Sequence, residues 1–166
     1  MTRMELIMSM IEVLNKQDID RIYRNIPPYL ALAFSFLGEK EIEGAKSNPI
    51  IDEMLACVGM PEDDDIPWCA AFVNFCLAKT GYMSSGKANA RSLLTVGEKI
   101  IVPIFGCIAI YWRGSPTDWR GHTNIYLGGT RGNDTGIGGN QSNKVGINNY
   151  RRDRLIGYRM PILLPV

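Results

Sequence analysis

Histidine is almost absent from this chain: of 166 residues, only His122 carries an imidazole. That excludes the HExxH and HxxxH metal sites, which need two. Acid–base chemistry near neutral pH by an imidazole must therefore fall to His122. Cysteine is sparse as well. Cys57, Cys69, Cys76 and Cys107 form no CxxC pair, so a Cys-rich zinc site is a weak reading, and neither metal nor cofactor is called for. Cys57, Cys76 and Cys107 sit among apolar neighbours and read as core. No uncharged apolar run reaches membrane-spanning length, so no integral membrane segment is expected. Eighteen Lys and Arg nearly balance seventeen Asp and Glu, and without a basic stripe nucleic acid is not an expected partner. The opening Met1-Thr2-Arg3-Met4-Glu5-Leu6-Ile7 places a carboxylate early and lacks the apolar core of a signal peptide. The expectation is synthesis in a cytoplasm, with reduced thiols.

What is there suggests one compact catalytic-size domain with a helical extension. In residues 1–25, Leu6, Ile7, Met10, Ile11 and Leu14 recur at helical spacing. This stripe reads as core packing, with docking to a partner or membrane surface the alternative. Residues 26–166 form the main unit. Pro27-Pro28 opens a helix from Tyr29 to Leu37, ended by Gly38. Ser47-Asn48-Pro49 caps another through Val58. The acidic run Glu62-Asp63-Asp64-Asp65 lacks EF-hand spacing and reads as a solvated turn. A buried helix is predicted from Cys69 to about Lys79, apolar nearly all round, and another from Ala90 to Glu98. Strands follow at Gly106–Trp112, Thr123–Leu127, near Gly139, at Val145–Ile147 and at Leu155–Met160. Helices first and strands later imply an α+β class, with N-terminal helices packed on an antiparallel β-sheet.

The chemistry centres on Pro67-Trp68-Cys69-Ala70-Ala71-Phe72-Val73. Pro67 can set a first turn, so Cys69 falls at the start of a buried helix. Unpaired N–H groups and the helix dipole there favour a thiolate. The dipole contributes only about 0.3–1 kcal/mol, whereas each unit of pKa is about 1.4 kcal/mol. An imidazolium partner is therefore needed for a largely ionised thiolate, and His122 must supply it. Read singly, Cys69 is a structural thiol and His122 a lone surface histidine. Together they make a nucleophile and base. Gly121-His122-Thr123-Asn124-Ile125-Tyr126-Leu127 puts the imidazole at a strand start, and Gly138-Gly139-Asn140-Gln141 offers a carboxamide to orient it.

Four segments carry a resemblance: Pro-Trp-Cys-Ala-Ala-Phe-Val-Asn-Phe-Cys-Leu (67–77), Gly-His-Thr-Asn-Ile-Tyr-Leu-Gly (121–128), Gly-Gly-Asn-Gln-Ser-Asn-Lys-Val (138–145) and Leu-Ile-Gly-Tyr-Arg-Met-Pro (155–161). In this order they resemble the CHAP and NlpC-type superfamily of papain-like peptidoglycan cysteine hydrolases, in a branch that includes phage endolysins. The resemblance spans roughly residues 27 to 161. It implies a papain-like fold, with Cys69 as nucleophile, His122 as general base and Asn140 as the residue orienting the imidazole. Gln141 and Asn143 are rivals for that third place. Thr123 stands where many relatives carry a small apolar residue.

The implied reaction is acyl transfer at an amide or peptide bond of the wall stem peptide, as an endopeptidase or N-acetylmuramoyl-L-alanine amidase. The backbone N–H of Cys69 is the expected oxyanion donor. Trp68, Trp119 and Gln141 are candidates to line the substrate cleft, with Trp112 and Tyr126 as further aromatics; Trp68 and Trp112 read at least as well as core, and Trp119 is the best placed of them. The expected partner is peptidoglycan, reached after release from the cytoplasm, and the expected state is a monomer. Two other readings stand beside it: a bacterial antibacterial effector with the same chemistry, and a non-catalytic module that binds wall or partner through the same cleft.

Overall fold

A computed structural model describes residues 25–44 and 46–166. The helical extension expected over residues 1–25 lies outside the described residues, apart from Asn25. Helix α1 (Pro28–Ser35) follows Pro27 and carries a proline in its first turn, where a missing N–H costs nothing. Helix α2 (Pro49–Cys57) is capped by Asn48, whose side chain accepts from the Ile50 N–H at 2.9 Å. Helix α3 (Cys69–Lys79) is buried from Cys69 through Leu77, as an all-round apolar helix must be. Its exit is turned by Gly81 at φ +81°.

Six strands follow: β1 (Glu98–Ile100), β2 (Ile108–Trp112), β3 (Gly121–Thr130), β4 (Asn133–Gly138), β5 (Gly146–Arg151) and β6 (Leu155–Met160). They form one antiparallel sheet in the order β1-β6-β2-β3-β4-β5. The class is α+β.

Alternation along the strands divides the sheet into two faces. On one, Ile108, Ile110, Ile125 and Ile137 join Leu30, Ile51, Met54, Phe72 and Leu77 of the three helices in the main core. The other packs Cys107, Ala109, Tyr111 and Tyr158 together. Buried Asp134 ties that face down. Its carboxylate accepts from Tyr158 at 2.5 Å, Tyr111 at 3.3 Å, and Arg152 Nη2 at 2.6 Å. Cys76 and Cys107 are buried, whereas Cys57 is only half-buried. The acidic run is not merely a solvated turn. Asp64 is buried and accepts from the N–H groups of Ile42 and Asn48, both at 2.9 Å.

Two expectations need correction. The helix expected over Ala90–Glu98 is a 3-10 segment, Ala90–Thr95, followed by β1. Gly97 separates them at φ +60°, and a Cβ there would lie 2.0 Å from the Met160 carbonyl oxygen. Pairing of β1 to β6 therefore brings the backbones too close for the helix to continue. The short strand expected near Gly139 is instead β4, which ends at Gly138. Its glycines weaken the local signal, and it is held by ladders to β3 and β5 on either side.

Gly139 itself lies over the start of α3. A Cβ at this position would come within 2.6 Å of the Phe72 Cβ and of the buried Trp68 ring. Gly139→Ala is expected to destabilise the protein by about 1–3 kcal/mol through overpacking. Urea denaturation measures it, and an unchanged midpoint would show that the contact relaxes freely.

Candidate active site

Helix α3 delivers Cys69 as its first residue, with Trp68 at the cap position and no side chain capping the terminus. The backbone N–H groups of Thr123, Ala70 and Cys69 face the sulfur and favour its ionised form, as does the positive charge of Arg113. Burial is the larger effect and pushes the thiol pKa up. Thr123 is the residue after His122, so packing of α3 on the sheet brings the thiol to the beginning of β3.

His122 is the second residue of β3, paired across the ladder with Tyr111. The ring is buried. Tyr150 from β5 stacks on it, centroids 4.5 Å apart and planes 13° from parallel, and Tyr111 in turn stacks on Tyr150 at 5.2 Å. The Tyr111–Asp134 hydrogen bond thus connects the outer face of the sheet to the imidazole plane.

Rotation within that plane is set by Gln141. Its Oε1 lies 3.0 Å from His122 Nε2, while its Nε2 donates to the carbonyls of Gly146 at 2.5 Å and Gly136 at 3.3 Å. With the amide nitrogen committed to two carbonyls, the oxygen must accept. His122 Nε2 therefore carries the proton and Nδ1 keeps a lone pair. Arg113 Nη2 lies 3.4 Å from that Nδ1.

The place expected of Asn140 is thus taken by Gln141. Asn140 is half-buried, and no hydrogen bond joins it to His122 among the described residues. Its backbone is left-handed at φ +52°, with Ser142 and Asn143 both at +59°. Asparagine tolerates this region better than most residues. The turn needs Asn140 for its backbone, and turning there sends the next side chain, Gln141, under the imidazole. Gly138 leaves room for it, since a Cβ would stand 2.7 Å from Gln141 Oε1.

Of the cleft candidates, Trp68 takes its core alternative. It is fully buried in the main core, with its indole N–H donating to Glu41 Oε1 at 2.9 Å. It cannot line a cleft from there. Trp119 is 72% exposed in the loop before β3. That loop is pinned by Arg91, which donates to the Pro116 carbonyl at 3.0 Å. Sequence reasoning missed Arg113 and Tyr150. Neither sits in a recognisable motif; each reaches His122 only through strand pairing.

The expected thiolate–imidazolium pair is not what this arrangement favours. Burial, with Arg113 adding to it, lowers the His122 pKa from 6.5 to about 4 despite the bond to Gln141. No hydrogen bond joins the Cys69 sulfur to the ring among the described residues. Both groups rest neutral. Among the described residues, no three His, Cys, Asp or Glu side chains cluster as a metal site, and no helix is long and apolar enough to cross a membrane.

No family model matches the chain, and no curated protein matches it.

A buried neutral His122 makes stability pH-dependent. Unfolded, the ring binds a proton below about 6.5; folded, it refuses one until about 4. The contribution is intact above pH 6.5 and is lost as pH falls towards 4, amounting to about 3 kcal/mol. Urea denaturation at pH 7.5 and pH 4.5 should show a smaller acid loss in His122→Gln than in the wild type. Equal losses would mean that the ring is not held neutral.

Proposed function

We propose that the chain is a papain-like cysteine hydrolase that cleaves an amide or peptide bond of the peptidoglycan stem peptide, of the kind used as a phage endolysin. Residues 26–166 form the hydrolase domain. The observation that carries this reading is the clamped Gln141 amide. By fixing the Nε2–H tautomer, it leaves His122 Nδ1 as the basic nitrogen. A carboxamide restrained in this way serves an imidazole that must face one direction in one protonation state. The helix-start cysteine, the four motif segments and the α+β arrangement support the same reading.

In the proposed reaction, His122 Nδ1 takes the thiol proton as the Cys69 sulfur forms a bond to the amide carbon. The carbonyl π pair moves onto oxygen, facing the backbone N–H of Cys69. Collapse of the tetrahedral intermediate breaks the C–N bond, and the imidazolium returns its proton to the departing amine. Water then adds to the thioester, losing its proton to the same nitrogen, and the C–S bond breaks as the thiol is reprotonated. A resting neutral pair suits this scheme, because the proton moves only when the developing oxyanion demands it. Gln141 and Tyr150 hold the ring through both steps. Exposed Trp119 is available to line the approach for a wall fragment. The proposed place of action is the cell wall.

A non-catalytic wall-binding module on the same scaffold would not require Cys69. Turbidity clearing of purified sacculi separates the two readings: Cys69→Ala, folded by circular dichroism, is expected to abolish clearing. Clearing equal to that of the wild type overturns the hydrolase. Mass spectrometry of the released fragments identifies the scissile bond.

The third position gives a sharper contrast. Gln141→Ala is expected to lower kcat by about 100-fold, the cost of a mis-set tautomer and a freely rotating ring. Asn140→Gly, which suits the left-handed turn, should stay within about threefold of the wild type. The reverse order would restore Asn140 as the orienting residue.

A further inference from the structure

Arg113 extends this reading to substrate choice. It follows Trp112 at the end of β2, and its backbone N–H donates to the Arg120 carbonyl at 3.2 Å, at the neck of the loop that carries Trp119. Arg113 is exposed as a residue, yet its Nη2 stands 3.4 Å from His122 Nδ1 and its charge reaches both Cys69 and Tyr150. Three nearby arginines are paired, Arg120 with Asp118, Arg151 with Asp153 and Arg152 with Asp134, whereas Arg91 bonds the Pro116 carbonyl and Arg154 lies over the Trp112 ring. Arg113 makes no ion pair with a carboxylate among the described residues.

An unpaired surface arginine is ordinarily only solvated. This one stands where it carries a cost, because a cation beside Nδ1 opposes the imidazolium that catalysis must form. A planar fork of donors on an exposed residue is suited to a carboxylate, which it can bind through two parallel hydrogen bonds. Resting on the hydrolase reading, we propose that Arg113 is a specificity-determining residue that receives a free carboxylate of the substrate next to the scissile amide. An anion docked there relieves the opposition to an imidazolium at Nδ1, at the expense of part of the support that Arg113 gives a Cys69 thiolate. A carboxamide in its place would not.

Cys69 provides a test that does not depend on wall hydrolysis. Iodoacetate and iodoacetamide differ only in carboxylate against carboxamide. Each forms an S–CH2 bond as the C–I bond breaks, with iodide leaving on the electron pair and the thiol proton passing to solvent. Peptide mass spectrometry reads the rates at Cys69, with half-buried Cys57 as the reference in the same molecule. The iodoacetate-to-iodoacetamide rate ratio at Cys69, normalised to Cys57, is expected to be about fivefold higher in the wild type than in Arg113→Gln. Arg113→Lys, which keeps the charge but not the fork, should retain part of the preference. Equal normalised ratios in the wild type and Arg113→Gln overturn the proposal. So does a Cys69 that reacts with neither reagent while Cys57 is labelled.

A second arm uses stem peptides matched except for a free α-carboxylate or its α-carboxamide beside the cleaved bond. The wild type should prefer the carboxylate by about fivefold in kcat/KM, and Arg113→Gln should lose that preference. Equal rates on the pair in the wild type overturn the substrate assignment. Absence of turnover on both peptides and on sacculi overturns the hydrolase reading instead, and the alkylation ratio still decides whether Arg113 receives a carboxylate.

Discussion

The candidate site depends on one side-chain amide. Gln141 is held from behind by the carbonyls of Gly136 and Gly146 and presents its oxygen to His122 Nε2. An amide free to flip could donate or accept, and the imidazole tautomer would then be undetermined. Anchoring the nitrogen to two backbone acceptors removes that freedom. The carbonyls belong to paired strands β4 and β5, so the proton on His122 is specified by the sheet itself.

Surrounding contacts keep the ring in that state. Tyr150 covers its face, and the stack continues through Tyr111 to Asp134, which is also bonded to Tyr158 and Arg152. Such a buried network is rigid when every member is satisfied. Burial holds both the thiol and the imidazole neutral, while the backbone N–H groups of Cys69, Ala70 and Thr123 stand where negative charge on sulfur is favoured. Charge is thus opposed at rest and accommodated where a reaction would create it. Arg113 acts in both directions, favouring the thiolate and disfavouring the imidazolium.

Glycine and asparagine in the 138–143 segment serve backbone geometry. Gly138 makes space for the Gln141 oxygen and Gly139 for the Trp68 ring, and Asn140, Ser142 and Asn143 accept left-handed turns. Trp68 illustrates the complementary case. By sequence it suited cleft or core; its indole fills the core and bonds Glu41. Adjacency to a reactive residue along the chain says little about which way a bulky ring turns, because the first turn of a helix distributes neighbouring side chains over different faces.

Local sequence was sufficient for whatever depends on short-range periodicity and capping. The span of α3, the Asn48 cap of α2, β6 from Leu155 to Met160, and the isolation of a single imidazole behind Gly121 were all readable from residue order. The order of strands, and hence which side chains meet His122, was decided only by tertiary structure. Tyr150 and Gln141 arrive from β5 and the turn before it, and Arg113 from the far end of β2; none has a sequence neighbour in common with the ring. Asn140 and Gln141 are adjacent carboxamides with the same chemistry. Backbone dihedrals chose between them: a residue at φ +52° turns the chain, and the residue after it receives the direction that the turn creates.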